Sequence, residues 1–135
     1  MHHEPSAIRA ELESAVEGLV YSSEGDHPFE VITLGEAPEV LDAGTFATAI
    51  GVSDSSRVRE QSLDRFLANH IDASDPWDER AQQVRPRYER LKATLRAALP
   101  DVRVFRVGEI RIDCYAIGRD ADGMLTGLRT LAIET

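Results

Sequence analysis

The sequence predicts an α+β fold in which helices pack on an antiparallel sheet. Two observations carry that prediction. Apolar residues recur at helical spacing over the first two-thirds of the chain, and they alternate with period two between short turns over the last third. Composition adds that one domain suffices. The 135 residues are 42% hydrophobic, enough to bury a core, and no internal repeat or low-complexity linker divides them. The domain is taken as residues 1–135, with residues 1–5 expected to fray.

Ile8, Leu12, Val16, Leu19 and Val20 predict an amphipathic helix over 6–20, which Ser6 can cap. Ser22 to Pro28 reads as a loop by its Gly, Pro and short polar residues, and Phe29 to Thr33 as a strand. A short helix near 43–50 ends at Gly51. Val58 falls in a brief strand, and Ser62 caps a helix carrying Leu63, Phe66 and Leu67. The polar loop 69–79 holds Trp77. A long helix follows, with Val84, Tyr88, Leu91, Leu95 and Leu99 on one stripe; Pro86 either kinks it or marks its true start, and Pro100 ends it. Val102 to Val107 is a strand, and Gly108-Glu109 a tight turn. Ile110, Ile112, Cys114 and Ala116 then alternate with Arg111, Asp113, Tyr115 and Ile117. After a turn over 118–123, Leu125 to Ile133 forms the last strand. Consecutive strands joined by short turns make a meander.

The formal net charge of −9 disfavours nucleic acid as a ligand, because that affinity is built from cations placed on phosphates. Basic proteins fit better, as do proteins that themselves hold nucleic acid. The sign is unevenly spread: residues 1–79 hold 17 Asp and Glu against 4 Arg, and residues 80–135 hold 7 against 11 Lys and Arg. Solvated helix faces account for such a bias, and so does one acidic face aimed at a partner. No apolar run approaches the roughly 20 residues that span a bilayer. The start of the chain has no basic segment followed by an apolar one, so a cytoplasmic protein is expected. A single cysteine, Cys114, excludes an internal disulfide.

Little in the sequence supports an enzyme. His2, His3, His27 and His70 include no pair at ligand spacing, so no metal site or cofactor is expected. Cys114 lies in phase with Ile112 and reads as a core residue. Asp120-Ala121-Asp122-Gly123 lacks the further ligands of a calcium loop and lies where a hairpin turn is needed. Three features remain that folding alone does not explain. Glu24 stands in the loop Ser22-Ser23-Glu24-Gly25-Asp26. Trp77, the only tryptophan, stands among Asp72, Asp75, Asp78 and Glu79, either as a core plug or as an exposed anchor. The last strand runs directly into Glu134-Thr135, so the terminal carboxylate of Thr135 should be held fairly still at the sheet edge.

Three segments and the spacing between them resemble the nuclease A inhibitor family, bacterial inhibitors of sugar-non-specific endonucleases. They are Glu17 to Val31 around Ser22-Ser23-Glu24-Gly25-Asp26, Val104 to Tyr115, and Leu125 to Thr135. The resemblance covers the chain from about Leu12 onward. It implies an α/β/α sandwich and a partner nuclease that holds magnesium to stabilise the leaving phosphate oxygen. It implies that the Thr135 carboxylate reaches the magnesium shell, that Glu24 engages the same site and that Trp77 inserts as an aromatic anchor. Glu134 joins this expected partner-binding set, with Ser23, Asp26 and Asp75 at its rim. A carboxylate offers a phosphate site similar oxygens without a cleavable bond. The alternative is an acidic interaction module of the same fold that binds another basic protein without inhibiting a nuclease. Arg103, Arg106, Arg111, Arg119 and Arg129 make the C-terminal sheet locally basic; any that flank Thr135 are expected to weaken attraction to a cationic site.

Overall fold

A computed structural model describes residues 5–72 and 75–135, with side chains from residue 7 onward. The expectations for residues 1–4, including His2 and His3, and for the Ser6 side chain lie outside this description. In chain order the elements are α1 (Pro5–Val16), β1 (Val20–Ser22), β2 (Asp26–Pro28), β3 (Glu30–Glu36), α2 (Ala43–Ala49), a 3-10 turn (Ser55–Arg57), β4 (Val58–Gln61), α3 (Leu63–Ile71), α4 (Glu79–Ala98), β5 (Arg103–Val107), β6 (Arg111–Arg119) and β7 (Met124–Ile133). Strands β3 to β7 form one antiparallel sheet in the order β3-β7-β6-β5-β4, and β1 and β2 form a separate hairpin.

The sheet is covered on both faces, as the sandwich requires. On one face α1, α3 and α4 place Leu12, Phe66, Leu67, Leu91 and Leu95 against Val104, Ile112, Cys114, Ala116, Leu128 and Ala132. On the other, Phe46 of α2 stacks on Phe105 at 4.6 Å between ring centroids and meets Tyr115 edge-on, with Val58, Ile117 and Leu125 around them. Central β6 is therefore apolar in both phases along much of its length. Helix α2 has only 7 residues. Beyond its cover Asp113 takes a 3.1 Å ion pair from Arg129 on partly exposed surface. Cys114 is buried, as its phase predicts.

Local chemistry explains the helix ends. Asp42, Ser62 and Asp78 each accept a first-turn amide of α2, α3 and α4. Pro86 does not start α4; it stands on the exposed side inside it, where water can replace the one missing ladder bond. The first helix is shorter than its periodicity suggests. Gly18 adopts φ 74°, a left-handed conformation that stops α1 at Val16 and turns Leu19 and Val20 into the hairpin. Ser6 lies inside this helix rather than before it. The expected loop 22–28 is likewise partly a paired hairpin, with Ser22 opposite Asp26.

Candidate functional site

Strand β3 covers the edge of β7 only between Met124 and Arg129. From there on the β1–β2 hairpin continues the cover. The Thr130 hydroxyl donates to the Pro28 carbonyl at 2.8 Å, and the Ile133 amide donates to the Ser23 hydroxyl oxygen at 2.9 Å. The Glu24 amide donates to the Ile133 carbonyl at 3.2 Å. From the opposite side the Glu134 amide donates to the Ile110 carbonyl at 2.9 Å. Ile133 and Glu134 are thus gripped from both edges, which satisfies backbone groups that a fraying strand would leave to solvent.

Glu24 completes the grip. One carboxylate oxygen accepts the Thr135 amide and the other accepts the Thr135 hydroxyl at 2.6 Å. These two bonds, the hydroxyl's first, hold the Glu24 carboxyl below its ordinary value. Each oxygen keeps further acceptor capacity toward solvent. Beside this pair Glu134 forms an ion pair with Arg106. Arg106 is therefore one cation of the basic C-terminal sheet at this strand end, and Arg111, the register partner of Ile133, is another. Arg103 and Arg129 are committed to Glu60 and Asp113, and Arg119 donates to the Pro38 carbonyl.

The hairpin is fixed by the last turn of α3 and the middle of α4. Asn69 donates to the Ser22 carbonyl at 2.8 Å, and the Ser22 amide donates to His70 Nε2 at 3.1 Å. The His70 ring stacks on Tyr88 at 4.0 Å, and the Tyr88 hydroxyl donates to the Val20 carbonyl at 2.5 Å. Burial in this stack pushes the His70 pKa down, against the opposing field of Asp26. His70 must be neutral at Nε2 to accept from Ser22.

Of the residues singled out in the sequence, Ser23, Glu24, Glu134 and Thr135 come together in one exposed patch. Asp26 lies two residues along the hairpin, toward His70 and Tyr88. Trp77 and Asp75 form a second group. Trp77 is 91% exposed, which removes the core-plug alternative. Asp75 accepts the Trp77 amide at 2.9 Å, and its carbonyl accepts Gln82 Nε2 at 2.9 Å, so Asp75 is tied both to Trp77 and to the first turn of α4. Among the described residues no hydrogen bond links Trp77 to the hairpin. The two groups are related through α3, whose last turn holds Ser22 and from whose end the Trp77 loop departs.

Sequence reasoning missed Ile110. Its alternation with Ile112 suggested an inward strand position, yet it sits in the β5–β6 turn, 61% exposed, beside Glu134. Gly108, with φ 116°, forces that turn; a Cβ there would lie 2.4 Å from the Arg111 carbonyl oxygen. Asn69, His70 and Tyr88 were missed as hairpin supports because their partners lie 47 to 68 residues away. Among the described residues no group of three or more His, Cys, Asp or Glu is arranged to hold a metal. None of the helices described is long and apolar enough to cross a membrane.

The class defined by this architecture is an α/β/α sandwich whose last strand ends in a clamped, exposed patch. The family model described as nuclease A inhibitor-like protein (NuiA) matches residues 6–135, nearly the whole chain, and the chain belongs to that family. The family is one of inhibitor proteins, which supports a nuclease-inhibitor type of function with a nuclease as partner. No curated protein matches the chain.

Proposed function

We propose that this protein inhibits a non-specific, magnesium-dependent endonuclease by placing the α-carboxylate of Thr135 in its active site. The observation that carries this reading is the double hydrogen bond from Thr135 to Glu24. It holds Thr135, two residues past β7, before any partner arrives, so little ordering entropy remains to be lost on docking. Glu24 then acts first as the positioning residue for Thr135, and its remaining lone pairs can accept from donors or water in the nuclease site. The metal belongs to the nuclease. One or two carboxylate oxygens suit completion of an existing shell rather than a site of the inhibitor's own, and the metal supplies the charge that attracts them. Trp77, with its ring in solvent, supplies desolvated contact area as a second anchor.

The test is a plasmid-degradation assay with magnesium, titrating the protein into a non-specific endonuclease from the same organism. Stoichiometric protection is expected. A Gly-Ser extension after Thr135 should lower inhibition by roughly 100-fold, in the range seen when one partner of a close charge pair is removed. Full protection by the extended protein would refute the terminal-carboxylate mechanism. Tight, salt-sensitive binding to a basic protein without protection of DNA would favour an interaction module of the same fold.

A further inference from the structure

The four arginines of the acidic segment 1–79 are Arg9, Arg57, Arg59 and Arg65, so three of them stand within nine residues. The fold gathers two of these with Arg106. Arg59 of β4 and Arg106 of β5 are direct register partners, so their side chains leave the sheet on the same face. Arg65, in the first turn of α3, lines the same cleft of about 610 Å³, along with Gln61, Glu109 and Glu134. Like charges placed directly opposite on a sheet are destabilising, and folding gains nothing from them. Arg106 is compensated by Glu134. Among the described residues the side chains of Arg59 and Arg65 hold no ion pair. Glu60, also on the lining, is committed to Arg103. A neighbouring hollow that includes Arg57 and Arg111 extends the cationic strip past the Ile110 turn.

This strip adjoins the clamped end of β7, because Glu134 belongs to both. A purely acidic rim would attract a basic groove from many orientations. A cationic strip beside it makes the rim dipolar and fixes the rotation of the docked pair. Resting on the nuclease-inhibitor reading, we infer that the cleft of Arg59, Arg65 and Arg106 is a docking site for carboxylates of the partner nuclease that flank its active site. Partner carboxylates entering there compensate Arg59 and Arg65 and leave the Arg106–Glu134 pair in place.

Against a uniformly basic partner surface, removing cations from an acidic inhibitor would tighten binding; here the opposite sign is expected. Arg59→Glu/Arg65→Glu is expected to weaken inhibition by at least about tenfold at low salt, mostly through slower association, with the loss shrinking as salt rises. Glu109→Lys, at an exposed rim position, is expected to tighten it. Circular dichroism and melting temperature verify that the variants fold, and the neutral pair Arg59→Gln/Arg65→Gln serves if the double reversal does not. Inhibition that is unchanged or tighter in the arginine variants, or weaker in Glu109→Lys, overturns the inference. Saturable amide shifts at Arg59 and Arg65 in millimolar inorganic phosphate, with variants that inhibit as well as the wild type, would reassign the cleft to small anions. Binding of a short DNA duplex by the protein alone, lost in the variants, would reassign it to nucleic acid. A wild-type protein that inhibits no nuclease refutes the inhibitor reading itself; variants equal to an inhibiting wild type refute only the cleft.

Discussion

The two ends of β7 use the same device in opposite surroundings. At its start, Asp120 accepts the amides of Asp122 and Met124 on one oxygen and the Thr126 hydroxyl, at 2.7 Å, on the other. At its end, Glu24 accepts the amide and the hydroxyl of Thr135. Asp120 is 5% exposed, and its bonds close a hairpin turn within the chain. Glu24 and Thr135 are both exposed, and their bonds hold the segment just past the strand end. A buried carboxylate with every donor internal is an investment in the fold. An exposed one that orders its neighbour leaves an oriented group facing outward. The local hydrogen bonds alone do not separate the two roles; burial and what lies beyond them do.

That contrast predicts a clean separation of effects. Asp120→Ala should have the largest effect on stability, about 2–3 kcal/mol, because it removes one buried acceptor shared by two turn amides and the Thr126 hydroxyl. Chemical denaturation with an unchanged slope would measure it. Inhibition per folded molecule should be unchanged. Glu24→Ala should do the reverse: a nearly unchanged melting temperature, and inhibition lowered by roughly 100-fold, as for a displaced central anchor. A Glu24 variant that melts early and inhibits normally would erase the distinction. The clamp is also acid-resistant. Because Thr135 holds the Glu24 pKa below its ordinary value, its stabilising contribution is complete above that value and is lost only as pH falls through the lower, folded one.

A smaller effect is expected at Trp77. Its ring is almost wholly in solvent, so Trp77→Ala should leave folding untouched while costing about 2 kcal/mol of binding, roughly 30-fold. Calorimetric titration with the nuclease measures this. Equal affinity for the variant would make the exposed ring a bystander and leave the β7 end as the sole anchor.

What the sequence disclosed follows the range of the forces involved. The α4 stripe, the Ser62 cap and the alternation of β6 are local, so their positions were readable. Residues 20–28 were misjudged because a three-residue strand pair has almost no periodicity of its own. It exists here because Tyr88, His70 and Asn69 hold it from 47 to 68 residues away. Glu24 and Thr135 were each noticed, but their bond spans 111 residues and no spacing announces it. The Arg59–Arg106 juxtaposition was equally hidden, since it depends on the β4–β5 register. The arginines of the C-terminal sheet made it read as locally basic, with their faces open. Arg103, Arg111, Arg119 and Arg129 are in phase with the Phe105–Tyr115 face and Arg106 with the other, and all but Arg111 are held by a named partner.

The smallest predicted effect concerns how the hairpin that carries Glu24 responds to acid. His70 accepts the Ser22 amide through Nε2 and stacks on Tyr88, and burial lowers its pKa from the ordinary 6.5. A histidine whose folded pKa is depressed favours folding in its neutral form. Its contribution is therefore complete above 6.5 and declines as pH falls below that value toward the folded pKa. Asp26 opposes the shift, and its neutralisation as Asp26→Asn should deepen it. Exchange of the Ser22 amide should quicken as pH is lowered through this window, after correction for intrinsic rates. The wild-type melting temperature should drift down over the same range. His70→Gln, whose side-chain oxygen can accept the same amide without titrating, should flatten that drift. If His70→Gln follows the wild-type profile, another group governs the hairpin.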